Sequence, residues 1–192
     1  MEDLYTPLLT LSERRHSCRR FSAEAVSEEE IDRILSVAAR SPFASGRSQW
    51  KVAVVRDASV IAALAAEVRR FAADITQTLD AETAPFFRRY SESFTLFESA
   101  PVLLIPYCRE TATIRSMMRD SATPQLIGWE HDNLTKSLSC VAMMLLLAAE
   151  SLGLGACYMT GPLLAGKALN PILGLKEFFL LGAIIPVGHK PL

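Results

Sequence analysis

The 192-residue chain is short of the residues that build metal centres and disulfide frameworks. Its four cysteines, Cys18, Cys108, Cys140 and Cys157, are widely spaced, and two of its three histidines, His16 and His189, sit near opposite ends. That pattern argues against a structural zinc site. It reads as reduced, mostly buried thiols in a cytoplasmic setting. Net charge is nearly absent: 20 basic and 21 acidic side chains leave −1. No global field is available to attract nucleic acid or an anionic membrane. Long apolar runs are also missing. The longest, from Val141 to Ala149, is far shorter than the roughly 20 residues of a bilayer-spanning helix. The opening Met1-Glu2-Asp3 is too acidic and polar for a secretory signal. No repeat, low-complexity tract or Gly/Ser/Pro linker interrupts the chain, so one domain over residues 1–192 is the simplest organisation.

What is present supports a substantial core: 50% of residues are apolar and 21% charged. Pro7 suits the first turn of a short helix running into Arg14. Ser27 with Glu30 forms a capping box, and Ile31, Ile34, Leu35 and Ala38 then recur at helical spacing until Pro42. Trp50–Val55 reads as a strand, Ala58–Leu79 as a long helix, Phe86–Phe97 as a helix and Pro101–Tyr107 as a buried strand. Cys108–Glu130 has no clear period and reads as a lid-like loop, with Met117, Met118 and Trp129 as either pocket lining or ordinary packing. Asp132 is a candidate cap for a long apolar helix that ends at Leu152, before Gly153. Ala156–Thr160 reads as a short strand, Leu163–Leu169 as a short helix, and Phe178–Val187 as a last strand whose Pro186 suits an edge or terminus. Helices and strands interleave. The apolar helix is either the spine of the fold or part of a subunit interface.

Three segments carry the chemistry. Arg14-Arg15-His16-Ser17-Cys18-Arg19-Arg20 concentrates four arginines, a histidine and a serine in a chain of balanced charge. Guanidinium forks and hydroxyl donors suit an anion such as phosphate; the plain alternative is a solvated basic turn. Ser41-Pro42-Phe43-Ala44-Ser45-Gly46-Arg47-Ser48-Gln49-Trp50 is a polar turn entering a strand. Gly153-Leu154-Gly155-Ala156-Cys157-Tyr158-Met159-Thr160-Gly161-Pro162 is a strand bracketed by glycines. Each alone also reads as an ordinary loop or helix stop.

In order and spacing, these segments resemble the FMN-dependent nitroreductase superfamily. The matching stretches are RRHSCRRF, SPFASGRSQW, LLLAAESLGLGACYMTGP and LGAIIPVGHKP. The resemblance implies an α+β fold with a central, mostly antiparallel sheet wrapped by helices. It further implies an obligate homodimer with the long central helix at its interface and two FMN molecules in the seam. Carried over by position, Arg15, His16, Ser17 and Arg19 would hold the phosphate, ribityl chain and pyrimidine edge. Pro42, Phe43, Ala44, Ser45 and Arg47 would face the isoalloxazine from the partner subunit. Tyr158, Met159, Thr160 and Gly161 would lie along the ring, and His189 and Lys190 would supply phosphate-binding charge.

On this resemblance the chain is an NAD(P)H-dependent oxidoreductase. It would pass hydride through flavin N5 to an electron-poor acceptor, a nitroaromatic or a quinone, by ping-pong alternation in one cleft. No side chain need act as nucleophile, because the flavin carries the redox chemistry. Arg19 would stabilise the electron-rich pyrimidine edge, and small residues at Thr160–Gly161 would let backbone approach a flat ring. The chain departs from the family pattern in having Arg47 where many members have Asn, in lacking the Pro before Trp50, and in stopping soon after its last strand. Arg88 or Arg89 are candidates to compensate for the basic residues of a C-terminal extension. Two alternatives share the same scaffold: a flavin enzyme with another substrate, and a non-catalytic flavin-binding protein.

Overall fold

The computed structural model describes residues 3–44, 50–110, 117–118 and 121–191. Its centre is β2, Val102–Arg109, whose first residues are almost wholly apolar and buried. The strand β1, Trp50–Val55, pairs antiparallel along its whole length, from Trp50 opposite Cys108 to Val55 opposite Leu103. On the other side of β2 lie two strands end to end. Phe179–Leu181 (β4) pairs with Tyr107–Arg109, and Ile185–His189 (β5) pairs with Val102–Leu104. The strand β3, Leu154–Ala156, closes the sheet on β5. Every pairing of these strands is antiparallel, so the expected α+β sheet is the observed one.

Alternating side chains of β2 feed two cores. Val102 and Leu104 meet α2, Glu28–Ala38, and α5, Pro124–Ser151, through Ile34, Val141, Ala142 and Leu145. Leu103 and Ile105 meet α3, Ala58–Thr78, together with Phe94 and Phe97. The start of α2 is the expected capping box: Ser27 Oγ accepts the Glu30 N–H, and the Glu30 carboxylate accepts the Ser27 N–H at 2.8 Å. By length and hydropathy alone α5 would qualify as a membrane span. Its buried residues Leu138, Val141, Ala142, Leu145 and Ala149 form the core beneath α2 and the sheet. The short helix α1, Tyr5–Arg14, lies across α5 and buries none of its residues in the single chain.

Six expectations about elements are corrected. The long apolar helix begins at Pro124, not near Asp132: Thr123 caps it by accepting the Leu126 N–H at 3.3 Å, with Pro124 in the first turn. Trp129 is therefore helical, and the connection before it is shorter than expected. The Phe86–Phe97 helix divides. Thr83–Ser91 (α4) gives way to a 3₁₀ helix, Glu92–Ser99, whose tighter turn puts Phe94 and Phe97, three apart, on one buried face. The strand expected over Ala156–Thr160 is instead β3, two residues earlier. Its ladder on β5 ends where Cys157 N–H reaches the carbonyl of Pro186 at 3.3 Å, because Pro186 has no N–H to return. Pro186 thus lies inside the sheet, between β2 and β3, not at an edge. The last strand is broken over residues 182–184, where a side chain on Gly182 would meet Leu138 of α5 at 2.7 Å. The helix expected over Leu163–Leu169 is a 3₁₀ helix, Gly161–Ala168, bent at Gly166 with φ 54°, followed by α6, Leu169–Ile172.

Candidate functional site

The basic segment after α1 is laid along the free edge of β3. Ser17 bridges Ala156 in parallel, and Cys18 N–H donates to the Ala156 carbonyl at 2.9 Å. Cys18 is buried, and its Sγ hydrogen donates to the Arg20 carbonyl at 3.0 Å. This contact is possible because residue 155 is glycine: a Cβ there would lie 2.6 Å from Cys18 Sγ. With Cys18 turned inward, His16, Ser17, Arg19 and Arg20 are exposed and Arg15 is half-buried. His16 Nδ1 stands 3.0 Å from the Arg14 carbonyl, so its proton sits on Nδ1 and donates there. Among the described residues, Arg15, Arg19 and Arg20 have no carboxylate partner.

Beyond β3 the chain passes Cys157–Thr160 and pairs once more, Met159 with Ile184 through both backbone hydrogen bonds (3.2 and 2.9 Å). Here Arg19 meets the glycine-bracketed segment. A cavity of about 180 Å³ is lined by Arg19, Tyr90, Ser93, Phe94 and the stretch from Cys157 to Pro162. Gly161 is packed against the Phe94 ring, which a Cβ would strike at 2.4 Å. Tyr158 is part exposed, and its hydroxyl lies 3.3 Å from Ser139 Oγ on α5. The cavity's far wall, Tyr90, Ser93 and Phe94, was not picked out from the sequence. The edge-to-face packing of Tyr90 on Phe94, centroids 4.9 Å apart, is the structural sign of it; in the sequence the signal is only an aromatic pair four residues apart.

The other predicted residues are placed elsewhere. Pro42, Phe43 and Ala44 do not line this cavity. Ala44 N–H donates to Ser137 Oγ on α5 at 3.0 Å, and Phe43 packs with Trp50 on Leu134 and Leu138. Ser45 and Arg47 lie outside the described residues. His189 faces carboxylates, with Nε2 3.8 Å from Glu24 and 3.9 Å from Glu30. Lys190 Nζ donates to both oxygens of Glu150, at 3.0 and 2.8 Å. Met117 and Met118 are exposed, as is Trp129. His131, Glu110 and Lys167 form a separate cluster: Lys167 Nζ donates to Glu110 at 2.6 Å, and His131 Nδ1 lies 3.3 Å from it. That hydrogen bond from Lys167 is the main reason the Glu110 carboxyl is held below its ordinary value. Burial pushes the Cys108 thiol up to about 11, so it is an inert core group.

The donor set fits a flavin mononucleotide. Among the described residues the Arg15 and Arg19 guanidinium groups and the Ser17 hydroxyl have no carboxylate partner, which suits a dianionic phosphate, whereas the His16 Nδ1 proton is committed to the Arg14 carbonyl. The glycine at 161 and exposed Thr160 leave backbone accessible beside an arginine, which suits the polar edge of a flat ring. The cavity of one chain alone is smaller than the roughly 300 Å³ at which small-molecule sites begin.

Comparison with known proteins bears on this arrangement. The model of the nitroreductase family matches residues 13–189. A relative from Archaeoglobus fulgidus, named an NADH dehydrogenase/NAD(P)H nitroreductase, is 24% identical over 177 residues, covering 91% of this chain and 80% of that protein. A BluB-like flavoprotein from Clostridium difficile 630 superposes with TM-score 0.83 at 21% identity, covering 100% of this chain and 91% of the other. A nitroreductase with bound FMN from Desulfitobacterium hafniense DCB-2 gives TM-score 0.70 at 21% identity over 96% of this chain and 89% of the other.

Proposed function

The chain belongs to the nitroreductase family, and from that premise we propose that it is an FMN-dependent oxidoreductase that uses NAD(P)H to reduce an electron-poor acceptor, a nitroaromatic or a quinone. The observation that carries the reading is the convergence of Arg19 with Tyr158–Gly161 on one cavity, beside a strand edge carrying Arg15, His16 and Ser17. When bound, the flavin supplies the group that accepts hydride and passes electrons on.

The chain's part is binding and electrostatics. Arg15, His16 and Ser17 hold the phosphate and ribityl chain. Arg19 faces the pyrimidine edge, where a fixed positive charge favours added electron density. The Thr160–Gly161 backbone presents N–H groups to the ring. A cavity of about 180 Å³ needs a second wall, and a homodimer provides it: Pro42, Phe43, Ala44, Ser45 and Arg47 of one subunit would cover the ring held by the other. With donor and acceptor sharing that covered cleft, each must leave before the other enters, which gives ping-pong kinetics.

The visible absorption spectrum of the full chain tests this, taken after FMN addition and again after anaerobic NADH or NADPH. A flavin spectrum that bleaches with the reductant and recovers with a nitroaromatic or quinone is expected. A chain that takes up no FMN overturns the reading. A flavin spectrum that no nicotinamide bleaches favours a non-catalytic flavin protein. A flavin enzyme with another substrate is the second reading, because the same fold is shared by a BluB-like flavoprotein and by an FMN-bound nitroreductase. Bleaching without turnover of either acceptor class would select it.

A further inference from the structure

Glu150 stands in the last turn of α5, where the free carbonyls of the helix end make a carboxylate unwelcome. It is nonetheless only 5% exposed. Both of its oxygens accept from Lys190 Nζ, at 3.0 and 2.8 Å, and Arg14 Nε lies 3.7 Å from Oε1. Arg14 is the last residue of α1 and the one before Arg15-His16-Ser17. Lys190 follows β5 directly. Its Cγ would stand 3.2 Å from a Cβ on Gly155, the same point that Cys18 Sγ crowds from the other side. One buried carboxylate therefore joins the exit of α1 to the exit of β5, and the Lys190 side chain that it holds lies over Gly155 in β3, beside the row of free donors. The Lys190 ammonium, expected from the family resemblance to meet phosphate, is committed to this carboxylate.

We infer that Glu150 is a positioning residue for the anionic end of the flavin nucleotide: through Lys190 and Arg14 it holds Arg15–Ser17 in register on β3, so that the cradle exists before the ligand arrives. A cradle formed in advance spares the ordering cost that a loose segment would incur on binding. The inference rests on the flavin reading above.

Its test is the affinity of the full chain, freed of flavin, for FMN and for riboflavin, which carries the same ring without the phosphate. In the Glu150→Gln variant FMN affinity is expected to fall by about tenfold or more, the scale of one charge-assisted hydrogen bond. Riboflavin affinity should change less than about twofold, within the scatter of a neutral contact. Equal losses for both ligands, or none for either, overturn the inference and leave the flavin reading standing. If Glu150→Gln does not fold, Arg14→Gln answers the same question on a side chain that is 65% exposed; it should show a smaller loss, again confined to FMN. The double variant Glu150→Gln/Lys190→Met should lose no more FMN affinity than the worse single variant, because the two residues act as one unit. Additive losses would make Lys190 an independent phosphate ligand and overturn the inference. A wild-type chain that binds neither ligand overturns both readings together.

Discussion

The two helical layers on either side of the sheet bury similar undersides and finish their outer sides differently. Beneath α3 lie Ile61, Leu64, Ala65 and Val68; beneath α5 lie Leu138, Val141, Ala142 and Leu145. Each set is aliphatic and fully enclosed. The outer side of α3 is closed by charge: Arg70 pairs with Glu67 at 2.7 Å and Asp74 at 2.9 Å, and Arg69 pairs with Glu98 of the 3₁₀ helix. The layer of α5 and α1 ends instead in large apolar side chains, with Tyr5 71%, Leu8 55%, Trp129 58% and Met143 48% exposed. Scattered apolar residues need no explanation, but several on adjacent helices form a surface that water covers at a cost. The outer side of α3 itself is closed by charge, although its neighbour α4 exposes Phe86 and Tyr90; the second subunit proposed above would cover the apolar side chains of α1 and α5.

The largest effects should come from the undersides and should be alike. Leu64→Ala and Leu138→Ala each truncate a side chain with no exposure, and each should cost about 2–5 kcal/mol in denaturant unfolding. A marked inequality would mean that the layers differ in packing as well as in finish. The outer sides should then separate. Leu8→Glu combined with Met143→Glu is expected to halve the mass found by sedimentation and to weaken flavin uptake, whereas Arg70→Ala leaves the mass unchanged. Exposed ion pairs contribute little, so Arg70→Ala should move the denaturant midpoint far less than either core truncation. A wild-type chain that sediments as a monomer would break the comparison outright.

Much of this was legible in the sequence, and the reasons are local. Ser27 and Glu30 announce the start of α2 because a capping box is written within four residues. Gly153 ends α5 with φ 79°, a conformation glycine reaches without strain. The resemblance placed Arg19 with Tyr158–Gly161, and the fold brings them to one cavity. What escaped depends on contacts distant in sequence. By its missing N–H Pro186 suits an edge or terminus, yet it lies inside the sheet because that missing N–H falls where the β3 ladder ends. Tyr90, Ser93 and Phe94 reach the cavity only through the packing of the 3₁₀ helix on Gly161. Glu150 carries no local signal in the tail of α5, because Lys190, which covers it, stands 40 positions later in the chain. The start of α5 is hard to see because Thr123-Pro124, its cap and first turn, stand in a segment with no clear helical period.

The next effect in size distinguishes a hydroxyl from an ion pair as the partner of a helix carboxylate. Ser27→Ala removes the cap of α2 and should cost about 1 kcal/mol, while the loss from Arg70→Ala should shrink further in 1 M salt, where exposed charges are screened beyond about 3 Å. The Ser27 donors to Glu30 are uncharged and in direct contact, so the loss should persist in salt.

The smallest effect is the acid limb of stability, and its sign follows from the same carboxylates. The Ser27 hydroxyl holds the Glu30 carboxyl below the ordinary glutamate value of 4.5, and the Arg70 guanidinium does so for Glu67. In both cases the folded chain binds the proton more weakly than the unfolded chain. Their contribution is therefore complete above the ordinary value and is lost as pH falls through the folded value. Denaturant midpoints measured from pH 6 down to pH 3 should fall for the wild type. The fall should be shallower in Ser27→Ala at any salt concentration, and shallower in Arg70→Ala only at low salt. An acid limb untouched by Ser27→Ala would mean that the Ser27 hydroxyl adds nothing for Glu30 beyond the Ser27 N–H, which the variant keeps.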